Sequence, residues 1–144
     1  MIYCFQLLLS NSTCAATPWD TLTCDRAARG GHLQVLQWAW EHDCPWDFTT
    51  CYNAAGCGHL EVLTWLREHG CEWDERTCVF AAHGGHLEVL QWAVGHGCPW
   101  VMSLCAKAAE GLKYVKVAQW VRAHPGYDEL SLEIILSQKR LSLS

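Results

Sequence analysis

The chain is short of positive charge. Lys and Arg number 10 against 15 Asp and Glu, the formal net charge is -5, and no basic cluster occurs. A nucleic-acid partner demands a basic face for its phosphates, so that class of partner is set aside. No apolar run approaches the ~20 residues that cross a bilayer, which argues against a spanning helix and a membrane partner. There is no CxxC and no HxxxH, the spacings that commonly place two zinc ligands together, so neither a metal nor a cofactor is expected. No segment sustains the alternation of a half-buried strand. Disorder is not expected over most of the length, because 51% of residues are apolar and only 17% charged.

What is present is a phrase written four times. It reads TPWDTLTCDRAARGGHLQVLQWAWEHD over residues 17–43, CPWDFTTCYNAAGCGHLEVLTWLREHG over 44–70 and CEWDERTCVFAAHGGHLEVLQWAVGHG over 71–97. A looser copy with one extra residue, CPWVMSLCAKAAEGLKYVKVAQWVRAHP, covers 98–125. A fixed period of this length marks a stacked array in which no unit buries its own apolar face. Such arrays usually present a surface to a partner. Residues 1–16 read as a degenerate preceding repeat, because Leu8 and Leu9 fall 27 residues before Val35 and Leu36. A secretion signal is the weaker reading of that stretch, which lacks a positively charged start. Residues 126–144 read as a capping helix and tail, with Leu130, Ile134 and Ile135 on one face.

Within a unit the signals are local. Asp20, Asp47 and Asp74 stand where a carboxylate can accept the orphan N–H groups of a first helical turn. Cys78, Ala81 and Ala82 make a small-residue stripe at i, i+3 and i+4. Gly84-Gly85 ends that helix. A second helix begins near His86, is apolar at Leu87, Val89, Leu90, Trp92 and Ala93, and stops at Gly97. The spacing predicts helix, tight turn, helix, short linker, repeated: an all-α chain. In the fourth copy Val101 replaces the capping Asp, and Leu112-Lys113 replaces the glycine turn.

Ten cysteines raise the question of disulfides. Cys24, Cys51, Cys78 and Cys105 recur every 27 residues, and Cys44, Cys71 and Cys98 form a second series. Helices related by such a translation sit ~8–10 Å apart, too far for a bridge that needs Cα atoms within ~7 Å. Reduced thiols and an intracellular, cytoplasmic setting are therefore expected. The tryptophans form two ladders, Trp19, Trp46, Trp73 and Trp100 in linkers and Trp38, Trp65, Trp92 and Trp120 in second helices. Both read as inter-repeat core, whereas Trp40 lies outside them and is expected to be exposed. His32, His59 and His86 open second helices, His42, His69, His96 and His124 close them, and these seven read as helix-end caps. Cys57 precedes a helix start with His59 beside it, but no oxyanion hole or third catalytic member is identifiable, so no enzyme is expected.

The AAxxGHLEVL core resembles the ankyrin repeat. Ala54, Ala55, Gly58, His59, Leu60, Glu61, Val62 and Leu63 match that family's pattern one for one, as do Ala81, Ala82, Gly85, His86, Leu87, Glu88, Val89 and Leu90. The resemblance spans residues 17 to 125 and implies an α-solenoid of stacked helix-turn-helix units. The unit is shorter than the family's, and the loss falls in the linker, so the usual β-hairpin fingers are expected to be lacking. The turn-bracing His of the family is replaced by Thr50-Cys51 and Thr77-Cys78.

In a repeat array the fixed positions hold the stack and the changing ones face solvent or a partner. The first-helix positions that change, and that carry the aromatic, Arg or polar types common at binding hot spots, are Arg26, Arg29, Phe48, Tyr52, Asn53, Arg76, Phe80, His83 and Lys107. Asp25, Val79 and Ser103 also change. The resemblance implies that first helices line a concave side. The expected function is non-catalytic binding of a partner protein by a monomer. Two alternatives stand beside it: a metal- or redox-responsive Cys/His protein, and a structural piece of a longer array.

Overall fold

The computed structural model describes residues 21–127. The Asp20 cap, Trp19, the degenerate first repeat and the capping helix with Leu130, Ile134 and Ile135 lie outside the described residues. Within them the chain is all-helical. Eight helices run in order: α1 (Thr21–Gly30), α2 (Leu33–Glu41), α3 (Phe48–Gly56), α4 (Leu60–Glu68), α5 (Glu75–His83), α6 (Leu87–Gly95), α7 (Met102–Gly111) and α8 (Val115–Ala123). No strand occurs between units among the described residues.

The helix starts follow from the capping chemistry. The Asp47 carboxylate accepts the Thr49 N–H at 2.7 Å, and that of Asp74 accepts the Arg76 N–H at 3.0 Å. Val101 has no such group, and α7 starts without a side-chain cap. The stops follow from backbone freedom. Gly70 and Gly97 lie just past α4 and α6 at φ 79°, a left-handed conformation costly for residues with a Cβ. Asp43 adopts φ 56° at the same point of the first unit, and Lys113 adopts φ 63° in the turn where the earlier units have glycine.

The small-residue stripes set the packing. Cys51, Ala54, Ala55, Cys78, Ala81 and Ala82 are all 0% exposed. They let α1 pack on α3, α3 on α5 and α5 on α7, while each first helix also packs on its own second helix. The approach is close enough that a Cβ at Gly84 would lie 2.3 Å from the Gly56 carbonyl oxygen. The second helices contribute Leu36, Leu63, Leu66 and Leu90, all fully buried. Each such leucine stabilises by roughly 1.5–3 kcal/mol relative to exposure.

The aromatic ladders differ from the core expectation. Trp46, Trp65, Trp73, Trp92, Trp100 and Trp120 pack against the core but stay partly exposed. Each linker ring leans on the second-helix ring of its own unit, edge-on for Trp46 with Trp65 at 5.6 Å and Trp73 with Trp92 at 5.9 Å. An indole at the end of a two-helix unit has neighbours on only one side, which is why it covers the core edge without entering it. Trp40 is 44% exposed, as its position outside the ladders implies, and stacks on Trp46 at 4.5 Å.

The histidines at the two ends of the second helices do different things. His42, His69 and His96 cap helix ends: each donates Nδ1–H to the carbonyl of the Trp four residues earlier, at 2.8, 2.9 and 2.7 Å. Each ring also stacks on that same indole. His124 departs, its Nδ1 bonding the Pro125 carbonyl. The histidines that open helices do not cap them: His32, His59 and His86 make no side-chain cap bond. His59 instead reaches back one unit and donates Nε2–H to the Arg29 carbonyl at 3.0 Å. Its ring occupies the space a Cβ at Gly31 would need, and His86 does the same over Gly58. In the fourth unit the Tyr114 ring takes that place over Gly85.

Candidate functional site

The first helices α3 and α5 bring five of the nine candidate residues together. Tyr52 and Phe80, successive in the stack, lie face to face with ring centroids 4.7 Å apart. Phe48, one turn before Tyr52 on α3, tilts against it at 6.4 Å. The Arg76 guanidinium lies over the Phe48 ring at 4.3 Å and near Tyr52 at 5.8 Å. His83 meets the far edge of Phe80 at 6.5 Å. The order His83, Phe80, Tyr52, Phe48, Arg76 is thus one continuous aromatic and cationic strip across two units. Phe80 is 40% exposed, large for an aromatic in a packed helix.

The strip is held in place from below. Asp74 caps α5 and also accepts Arg76 Nε–H at 2.8 Å and Nη2–H at 2.6 Å. The same carboxylate that starts the helix therefore fixes the guanidinium over the rings. A cation over an exposed aromatic face adds only a modest attraction, weakened by the surrounding water. Its larger effect is to pre-order a rotamer-rich side chain, which lowers the entropy cost of binding.

The other candidates stand apart. Arg26 and Arg29 are exposed on α1 and Lys107 on α7, and Asn53 is half-buried on α3; none joins the ring contacts of the strip. Three further changing positions are structural. Val79 packs against the core and Ser103 is buried. Asp25 accepts the Thr50 hydroxyl at 2.7 Å and the Thr49 hydroxyl at 2.8 Å, tying α1 to α3. A residue that changes between copies is here a one-off brace between units.

The cysteine geometry corrects the sequence argument. The two series, treated separately in that argument, meet each other. Cys24 on α1 donates to Cys44 in the next linker, with sulfurs 3.2 Å apart. Cys51 and Cys78 stand in the same sequence relation to Cys71 and Cys98: the Cys51 thiol reaches the Cys71 carbonyl at 3.9 Å, and the Cys71 and Cys98 thiols donate to the Asp47 and Asp74 carbonyls at 3.2 and 3.4 Å. No disulfide is formed among the described cysteines. The contact pushes the Cys51 and Cys78 thiols upward, and burial adds to it. Cys98 moves the other way, lowered first by the Cys78 hydrogen bond and also by the Arg67 guanidinium. Cys105, which has no such partner, is pushed up to about 12 by burial.

No group of three or more His, Cys, Asp or Glu side chains converges as a metal site among the described residues. Cys57 is exposed, and the His59 ring beside it is turned to Arg29; no hydrogen bond joins the two. No described helix is long and apolar enough to cross a membrane. In comparisons with known proteins, no family model matches the chain and no curated protein matches it.

Proposed function

We propose that the chain is a non-catalytic protein-binding module, a solenoid of short ankyrin-type repeats that engages a partner protein through its first-helix face. The observation that carries this reading is the strip formed by Phe48, Tyr52, Arg76, Phe80 and His83. Large rings left at a surface lose burial energy that a core position would have supplied. These rings lie on the same helices as the fully buried Ala54, Ala55, Ala81 and Ala82, so they are not needed to close the stack. They are also absent from the equivalent positions of the first and fourth units, where Asp25 and Arg26 or Lys107 stand instead. Aromatic and Arg side chains, rigidly held, are the types that dominate binding energy at interfaces.

The ankyrin-type architecture is supported by the alternation of helix pairs, the direct stacking of first helices and the left-handed glycine turns. Capture from cell extract tests the functional reading. Immobilised wild type is compared with a Tyr52→Ala, Phe80→Ala double variant and with a Glu61→Ala, Gln91→Ala variant on exposed second-helix positions. The reading requires proteins that are retained by the wild type and by the second-helix variant and lost from the strip variant. Retention by the strip variant, with loss from the second-helix variant, would reverse the assignment of the face.

A further inference from the structure

We propose that the three thiol pairs, Cys24 with Cys44, Cys51 with Cys71 and Cys78 with Cys98, are sites of reversible disulfide formation with a small-molecule disulfide as oxidant. The proposal stands on one observed thiol–thiol contact and on an anchoring of the linker cysteine that repeats in every unit. The two sulfurs of the first pair are 3.2 Å apart, the Cys51 thiol of the second lies 3.9 Å from the Cys71 carbonyl, and Cys78 and Cys98 hold the equivalent first-helix and linker places one unit on, again 20 residues apart. A disulfide is ~2.05 Å long, so closing the first pair takes roughly 1.2 Å of sulfur movement. Rotation of a side chain about χ1 supplies movement of that size without breaking the helix.

Both ends of each pair are anchored by the backbone. The first-helix cysteine sits in a regular helix. The linker cysteine is held by its own N–H, which donates to Ala39, Leu66 or Ala93 of the preceding helix at 3.0, 2.9 and 3.0 Å for Cys44, Cys71 and Cys98. These anchors hold the linker backbone beside the first helix, and the Cys71 and Cys98 thiols, which donate to the Asp47 and Asp74 carbonyls at 3.2 and 3.4 Å, must leave those bonds to close a bridge. The linker members are also the more approachable: Cys44 and Cys98 are 4% and 3% exposed, against 0% for Cys24 and Cys78. Each is flanked by an exposed proline, Pro45 or Pro99.

The chemistry balances as thiol–disulfide exchange. The linker thiolate attacks one sulfur of the small disulfide, breaks its S–S bond and releases one small thiol. The first-helix thiolate then attacks the linker sulfur of the mixed disulfide and releases the second small thiol. The protein loses two hydrogens and the oxidant gains them. In the third pair the direction of attack is set by the environment. Cys98 lies below its ordinary value, through the Cys78 hydrogen bond and the Arg67 charge, whereas Cys78 lies above its own. Cys98 is the attacking thiol and Cys78 the resolving one.

Each bridge would close a loop around one helix–turn–helix unit, tying the start of the unit to the linker that leaves it. Two cysteines serve as internal controls. Cys105 is fully buried but has Pro125 20 residues on, so it has no partner of this kind. Cys57 is exposed and belongs to neither series.

The test uses the full reduced chain treated with oxidised glutathione, quenched with an alkylating agent, digested and mapped by mass spectrometry. The expected map contains bridged peptides 24–44, 51–71 and 78–98, a glutathione adduct at Cys57 and an unbridged Cys105. The oxidised chain should melt at a higher temperature than the reduced one, and added reductant should restore the original midpoint. A Cys98→Ser variant should lose the third bridge alone and leave Cys78 unbridged. If that variant fails to fold, the wild-type map decides by itself against a parallel oxidation in guanidinium, where pairing is scrambled. A folded chain that yields only the Cys57 adduct, or the same scrambled mixture as the unfolded chain, overturns the proposal.

Discussion

Thr50 and Thr77 occupy the same position in successive units, and the structure assigns them opposite energetic signs. Both are 0% exposed. The Thr50 hydroxyl donates to the Asp25 carboxylate at 2.7 Å. One unit further on, the residue equivalent to Asp25 is Tyr52, whose ring is engaged with Phe80, and the Thr77 hydroxyl has no hydrogen-bond partner among the described residues. Valine has nearly the shape of threonine and the same β-branching, so Thr→Val at each site isolates the hydroxyl. A hydroxyl buried without a partner costs roughly 1–3 kcal/mol. Thr77→Val should therefore stabilise the chain by about 1–2 kcal/mol. A hydrogen bond to a charged group contributes about 1.5–3 kcal/mol. Asp25 is only half-buried and keeps the Thr49 hydroxyl, so Thr50→Val should lose about 1–2 kcal/mol, toward the low end of that range. Urea unfolding followed by circular dichroism measures both, with unchanged slope m as the check that only stability moved. A Thr77→Val chain destabilised as much as Thr50→Val would refute the reasoning.

Three further perturbations probe other parts of the account. Trp92→Ala should cost roughly 2–3 kcal/mol, below the ~3–5 of a fully buried ring, because Trp92 is only partly buried; a loss under ~1 would deny it any core role. Lys113→Gly should gain roughly 0.5–1 kcal/mol in thermal or urea unfolding, because Lys113 carries φ 63° where the other units have glycine, and a loss would contradict the strain argument. Burial raises the Cys105 thiol from an ordinary value near 9 to about 12, so the stability it contributes is complete below pH ~9 and is lost as the pH rises from ~9 toward ~12. Melting temperatures across that window should fall less steeply for Cys105→Ala than for the wild type, and parallel slopes would show that the site does not hold the thiol neutral.

The local grammar of the chain was readable because each signal acts over a few residues. Asp47 and Asp74 cap because carboxylate and free N–H are two residues apart, and Gly70 and Gly97 stop helices because only their own φ matters. The small stripe through Cys78, Ala81 and Ala82 is buried for the same reason that it is periodic. Contacts between units were harder to read. Comparing Cys24 with Cys51 follows the translation of the array, whereas the meeting of Cys24 with Cys44 depends on how far a linker folds back after its second helix. The bond from His59 to Arg29 and the brace from Asp25 to Thr50 likewise span neighbouring units and leave no trace in the repeat pattern. Of the candidate face, the aromatics and Arg76 were found by their variation between copies. Variation alone did not separate them from Arg26, Arg29, Asn53 and Lys107, because it does not report which varying side chains touch.

The central claim is that the Tyr52 and Phe80 strip supplies the binding energy, and the direct measurement is an affinity. A protein recovered by the wild-type chain is purified and titrated calorimetrically against the wild type, the Tyr52→Ala, Phe80→Ala variant and the Glu61→Ala, Gln91→Ala variant, each first shown to be folded by circular dichroism. Truncating two buried hot-spot rings typically removes ~2 kcal/mol or more, so Kd should rise at least ~10-fold for the strip variant and less than ~2-fold for the second-helix variant. An unchanged Kd for the folded strip variant would contradict the account.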